Sequence, residues 1–89
     1  MNILRQASAG TMESSDAYVE IESNENGLEI VIESVVEKQF GDKIEATVRE
    51  VLSECDVRNA SIRVIDRGAL ECVIRARVET AIKRGGGNV

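Results

Sequence analysis

The spacing of apolar residues changes period along this chain, and that change dictates which elements it can build. Ala17, Val19 and Ile21 alternate with Tyr18, Glu20 and Glu22, the period-two pattern of a strand with one face buried and one in water. Leu28, Ile30 and Ile32 repeat the pattern, with Glu29 and Glu33 pointing the other way. Between the two lies Ser23-Asn24-Glu25-Asn26-Gly27, whose Asn26 and Gly27 tolerate positive φ. The spacing therefore predicts an antiparallel hairpin with an acidic outer face.

The period then lengthens. After a connection through Ser34 to Phe40, Gly41 and Asp42 can open a helix with Asp42 as its N-cap. Ile44, Val48, Val51, Leu52 and Cys55 draw one apolar stripe over about four turns. Asp56 to Asn59 interrupt it, and Ala60, Ile62 and Val64 return to period two as a third strand, closed by Asp66-Arg67-Gly68. Leu70, Val73, Ile74, Val78, Ala81 and Ile82 form the stripe of a last helix, with Glu71, Arg75, Glu79 and Lys83 on its other side.

The expected fold is α+β: a small two-layer sandwich in ββαβα order, a three-stranded sheet with both helices on one face. Residues 1–16 hold Ser8, Gly10, Thr11, Ser14 and Ser15 and show no sustained apolar period, so they read as a flexible N-terminal arm. Residues 17–84 make the folded domain, and 85–89, with Gly85-Gly86-Gly87, a flexible tail. With 89 residues the chain has room for one domain and not for separate binding and catalytic ones.

Composition narrows the function. The net charge of −5 argues against a nucleic-acid backbone or an anionic membrane as partner, and Tyr18 and Phe40 alone cannot form a base-stacking platform. No stretch approaches the roughly 20 apolar residues of a membrane-spanning helix, and no leader pattern opens the chain, so a cytoplasmic location is expected. The chain contains no His, which removes the commonest general acid/base and the commonest metal ligand.

The remaining reactive groups each have an ordinary explanation. Cys55 closes an apolar stripe and Cys72 follows Leu70 with no base to activate it, so both read as small buried hydrophobes. Glu20, Glu22, Glu29 and Glu33 occupy outward strand positions where solvated charge is the rule, and no metal site is expected. Arg63, Arg67, Arg75 and Arg77 can dock an anion or an acidic partner. The acidic strand face and the Arg-bearing last helix are the two candidate docking surfaces. That leaves Gly10-Thr11-Met12-Glu13-Ser14-Ser15-Asp16, where an exposed serine is a weak catalytic nucleophile but an accessible acceptor for a group attached by another enzyme.

Three blocks in order, Ala9-Gly10-Thr11-Met12-Glu13-Ser14-Ser15-Asp16, Glu37-Lys38-Gln39-Phe40-Gly41 and Arg67-Gly68-Ala69-Leu70-Glu71-Cys72-Val73-Ile74-Arg75-Ala76-Arg77-Val78-Glu79, resemble the acyl carrier protein, or gamma subunit, of citrate lyase. The resemblance implies that Ser14, the serine of the Gly-Thr-(apolar)-Glu-Ser motif, covalently carries phosphoribosyl-dephospho-coenzyme A (2'-(5''-phosphoribosyl)-3'-dephospho-CoA) through a phosphodiester. It further implies a non-catalytic carrier whose acetyl or citryl thioester passes between the transferase (alpha) and lyase (beta) subunits, after a dedicated prosthetic-group transferase has loaded it. The carrier subunit of malonate decarboxylase, and a non-covalent scaffold or regulatory domain, are the alternatives.

Overall fold

A computed structural model describes residues 1–35 and 38–86, with the side chains of 38–40 left aside. Four strands, β1 (Ala7–Gly10), β2 (Ala17–Glu22), β3 (Leu28–Ser34) and β4 (Ala60–Asp66), and two helices, α1 (Lys38–Glu54) and α2 (Glu71–Gly85), follow in the order β1β2β3α1β4α2. The two-layer α+β architecture agrees with the sequence; the strand count and one pairing do not.

The sheet order is β1-β2-β4-β3. β4 lies between the two strands expected to form a hairpin, antiparallel to β2 with Val19 opposite Val64, and parallel to β3 with Ile32 opposite Val64. The expected hairpin is therefore corrected: β2 and β3 are separated by β4, and the parallel β3–β4 pair is joined through α1 as a βαβ unit. The physical reason is burial. Ala60, Ile62 and Val64 of β4 are almost fully buried, so the strand belongs at the sheet centre, while Leu28, Ile30 and Ile32 of β3 are only half-buried, as suits an edge. Asn24-to-Gly27 still makes the turn, its end tied to β4 by Ala60 N–H donating to the Gly27 carbonyl and Gly27 N–H to Asn59.

The fourth strand comes from the segment expected to be an arm. β1 pairs antiparallel with β2, Ala9 opposite Val19, and both Ala9 and Ile3 are buried. Its inward residues, Ala7 and Ala9, are too small to give a visible apolar period, yet they fit because α2 packs closely over β1 and β2. The expected tail also begins later. Gly85 is the buried last residue of α2, and its carbonyl accepts the backbone N–H groups of Leu4 and Arg5 at 2.9 and 3.1 Å, so the two ends of the chain close on each other. Residues 87–89 of the expected tail, and 36–37 in the connection before α1, lie outside the described residues.

The helices cover one face of the sheet. α2 packs over β1 and β2, α1 over β3, and the helices pack against each other. Val48, Val51 and Leu52 of α1 and Ile74, Val78, Ala81 and Ile82 of α2 meet Val19, Ile21, Ile62 and Val64 in one core. α1 starts at Lys38, ahead of the expected Asp42 cap; one Gly costs only about 1 kcal/mol inside a helix, so Gly41 does not stop it.

Two residues expected to be buried, Leu70 of the stripe and Cys72, are not. Leu70 is the N-cap of α2 and is 71% exposed, and Cys72 is exposed on the first turn, opposite the face that carries Ile74 and Val78. Both positions precede the stretch of α2 that packs on the sheet. Asp66 ends the inward row of β4 at 2% exposure, and its Oδ1 accepts the N–H groups of Gly68 and Ala69 while its Oδ2 accepts the Ser34 hydroxyl. Asp66→Ala leaves those two backbone donors without their acceptor. It should lower stability by about 1–3 kcal/mol in urea unfolding.

Candidate functional site: the turn bearing Ser14

The β1–β2 connection, residues 11–16, stands at the end of the sheet where β3 and β4 also finish. Its tip is a β-turn closed by the Asp16 N–H donating to the Glu13 carbonyl at 3.1 Å, with Ser14 and Ser15 as the central residues. Ser15 has φ +67° while Ser14 has negative φ, the pattern of a type II turn with the left-handed residue third. Ser14 is thereby the second residue of the turn, and its side chain is exposed. Among the described residues nothing hydrogen-bonds to its hydroxyl.

The turn is anchored on both sides. Ser15 N–H donates to the Arg67 carbonyl at 2.8 Å and Arg67 N–H to the Asp16 carbonyl at 3.0 Å, so the β4–α2 connection lies against it. Asp16 holds the base: its carboxylate receives Nε and Nη2 of Arg77 at 3.0 and 3.2 Å, the Thr11 hydroxyl at 2.7 Å and the Ala17 N–H at 2.7 Å. Thr11 accepts in turn from the Glu13 N–H. The site is a turn anchored at both ends, whose exposed Ser14 and Ser15 hydroxyls make no hydrogen bond among the described residues.

The Arg77 guanidinium, the Thr11 hydroxyl and the Ala17 N–H hold the Asp16 carboxyl well below the usual carboxylate range. A depressed folded-state pKa contributes stability that is complete above the unfolded value near about 3.9 and fades as pH falls through the folded value. Asp16→Asn should therefore destabilise the protein at neutral pH, and the gap to the wild type should close in strong acid. Urea midpoints of both proteins at pH 7 and at about pH 2 check this; an unchanged gap would contradict it.

The structure brings only part of the sequence-derived set together. Arg67 and Arg77 meet the Ser14 turn, whereas Arg75 reaches across to Glu50 and Glu54 of α1, and Arg63 lies on the open sheet face between Glu33 at 3.0 Å and Glu20 at 3.9 Å. Glu20 and Glu33 are thus ion-paired, and no group of metal-ligating side chains occurs among the described residues. Cys55 is half-buried, and burial pushes its thiol up and away from reactivity, with Glu79 and Glu54 adding to the effect. Asp16, Thr11 and Gly10 were not singled out by their chemistry; the signal available was the Gly–Thr pair before an acidic residue, which describes a turn without saying what anchors it. Met12, Val35 and Leu70, at 47%, 64% and 71% exposure, lie on the three connections that meet at this end.

Ser14 is thus an exposed serine on an anchored turn, and the comparisons with known proteins give the family. The family model described as "Malonate decarboxylase delta subunit (MdcD)", an acyl carrier family, matches residues 4–85. The chain is 54% identical over 84 residues to the citrate lyase acyl carrier protein of Enterobacter sp. (strain 638), covering 94% of this chain and 87% of that one. It belongs to the citrate lyase acyl carrier protein family. The carrier is also 44% identical over 85 residues to the protein of that name from Latilactobacillus sakei, covering 96% and 84% of the two chains. Its fold is that of a chain in the crystal structure of a Pseudomonas malonate decarboxylase hetero-tetramer in complex with malonate, with a TM-score of 0.78 at 23% identity over 94% of this chain and 87% of the other. By family the chain is an acyl carrier subunit, a carrier rather than a catalytic one.

Proposed function

We propose that this chain is the acyl carrier of a citrate lyase complex and carries phosphoribosyl-dephospho-coenzyme A on the Ser14 oxygen. The observation that carries the reading is the exposed Ser14 hydroxyl, unbonded among the described residues, at the tip of a turn held by Asp16 and Arg77. The residues fit such a group. The hydroxyl faces solvent with room for a bulky phosphodiester, and Arg67, whose backbone bonds to Ser15 and Asp16, places a cation on the adjoining connection to meet the anion.

When bound, the group supplies a thiol that carries acetyl and citryl as thioesters between transferase (alpha) and lyase (beta) subunits, in cleavage of citrate to oxaloacetate and acetate. The chain's own part is positional. Asp16, Thr11 and Arg77 keep the attachment oxygen at a fixed place on a rigid body, so the tether alone moves and each partner active site sees it at high effective concentration. Met12, Val35 and Leu70 surround the tether's root with apolar surface that a partner can cover while docked. The unactivated hydroxyl needs the dedicated prosthetic-group transferase to supply the base.

Malonate decarboxylase is the second reading, favoured by the match to its delta-subunit family and by the shared fold. The level of identity to named citrate lyase carriers places it second. Intact mass and peptide mapping of the protein from its native cells are the test. A phosphoribosyl-dephospho-coenzyme A adduct is expected on the peptide containing Ser14; fully active native complex with bare Ser14 would overturn the reading. Reconstitution with transferase subunits from the two systems separates citrate from malonate.

A further inference from the structure

A cavity of about 350 Å³ opens beside the attachment turn, between the N-terminal half of α1 and the start of α2. Ile44, Ala69, Leu70 and Ile74 give it apolar walls, Thr47 contributes one hydroxyl, and Gly68 forms part of its rim. Its volume lies at the lower end of the roughly 300–1,000 Å³ of small-molecule sites. The space has no role in the attachment chemistry, and the buried polar atoms around it are already bonded: Asp66 to Gly68 and Ala69, and Thr47 to Glu71 and the Lys43 carbonyl.

The cavity is close to Ser14 through the backbone. Ser15 N–H bonds to the Arg67 carbonyl at 2.8 Å, and covalent geometry then puts the Cα atoms of Ser14 and Gly68 within about 8 Å. A nucleotide ending in pantetheine is far longer than that gap. Which end of it the cavity suits follows from the walls. Among the described residues no aromatic ring lines it to stack a base, and Lys43 is the one lining cation against the carboxylates of Asp66 and Glu71, so the nucleotide and phosphates are poor occupants. A short uncharged chain ending in a methyl group is a good one.

Resting on the attachment of the group at Ser14, we propose that the cavity bounded by Ile44, Ala69, Leu70 and Ile74 receives the acetyl-thioester end of the tether when no partner subunit engages it. The parked thioester leaves water, so the carrier shields its cargo from hydrolysis and releases it on docking, when a partner competes for the same end of the molecule. Citryl brings free carboxylates, which lose hydration in an apolar space and meet the lining carboxylates of Asp66 and Glu71 as well as Lys43, so acetyl is held in preference.

S-acetyl-pantetheine titrated into the unmodified, isotopically labelled protein tests the cavity without the tether. Saturable amide shifts are expected at residues 43–47 and 68–71, and Ala69→Phe, which fills the space, should abolish them. Leu70→Asn is the second variant; it removes one apolar wall while placing a better cap on α2, so it should fold and still weaken the shifts. In the loaded and acetylated carrier, verified by intact mass, hydroxylamine should cleave the thioester about fifteenfold more slowly than in loaded, acetylated Ala69→Phe, the ratio expected when two methylene equivalents leave water. Absence of saturable shifts at 43–47 and 68–71, or equal cleavage rates by hydroxylamine, overturns the proposal. A missing adduct at Ser14 would overturn the attachment instead, and the titration would still decide the cavity.

Discussion

Ser14→Ala protein should accept no prosthetic group and support no citrate cleavage when combined with transferase and lyase subunits. The loss should be at least about 10²–10⁴-fold, because removing the tether removes the effective concentration that it provides at each active site. The fold should be untouched: the side chain is exposed and bonds to nothing among the described residues, and the turn around it is closed by backbone bonds from Asp16 and Ser15. Intact mass gives the first readout and oxaloacetate formation the second. Ser15→Gly is the matched control. Ser15 sits at φ +67°, where glycine is at ease, so that variant should fold at least as well as the wild type and load fully. Full citrate cleavage by Ser14→Ala, or loss of loading in Ser15→Gly with the turn intact, would place the acceptor elsewhere.

A carrier of this design can do without histidine for a physical reason. With the group attached at Ser14 as proposed, the site need stabilise no transition state and move no proton; it would have to present one oxygen to a loading enzyme and then keep the root of a tether still. Both tasks are met by a short turn whose carboxylate is saturated with donors from another element, as Asp16 is by Arg77 of α2. Asp16 to Arg77 also joins two parts of the chain 61 residues apart, so the attachment turn becomes rigid only when the whole domain is folded. Premature loading of an unfolded chain would meet a floppy, unanchored serine.

How far the sequence revealed this follows from what each residue reports. Strong alternation in Val19–Ile21 and Ile62–Val64 and the stripes of α1 and α2 announce their elements because each buries large side chains on one side only. β1 is hidden because its inward residues are alanines and its neighbour is a glycine, so it carries no hydrophobic period even though Ala9 is almost fully buried. Pairing was the other gap. Two adjacent amphipathic strands with an Asn-Gly turn satisfy every local rule for a hairpin, and only the later, more apolar β4 reveals that a third strand claims the place between them. Ser14 was reached through its motif, while its anchors, Asp16 and Arg77, come together only in three dimensions. Local pattern reports burial; it does not report which distant arginine a carboxylate will meet.

Gly10→Ala should be the most damaging single substitution at the site that leaves Ser14 itself in place. Gly10 ends β1 at φ +92°, and a Cβ there would collide with the carbonyl oxygen of Ala17, the first residue of β2. The left-handed backbone alone costs a non-glycine residue about 1–3 kcal/mol, and relieving the collision requires β1 to move off β2. Together these should lower stability by about 3 kcal/mol or more, a large share of the roughly 5–15 kcal/mol available to a domain, and more serious in one this small. Because Thr11 follows directly and bonds to Asp16, the shift also loosens the attachment turn. The expected signature is a lower urea midpoint joined to slower loading of Ser14 by the prosthetic-group transferase, even below the unfolding transition. Asp66→Ala, whose lost bonds lie on the β4–α2 connection, should share the first effect with much less of the second. A Gly10→Ala protein that unfolds at the wild-type urea concentration would show that the close approach of β1 to Ala17 is not what holds the turn.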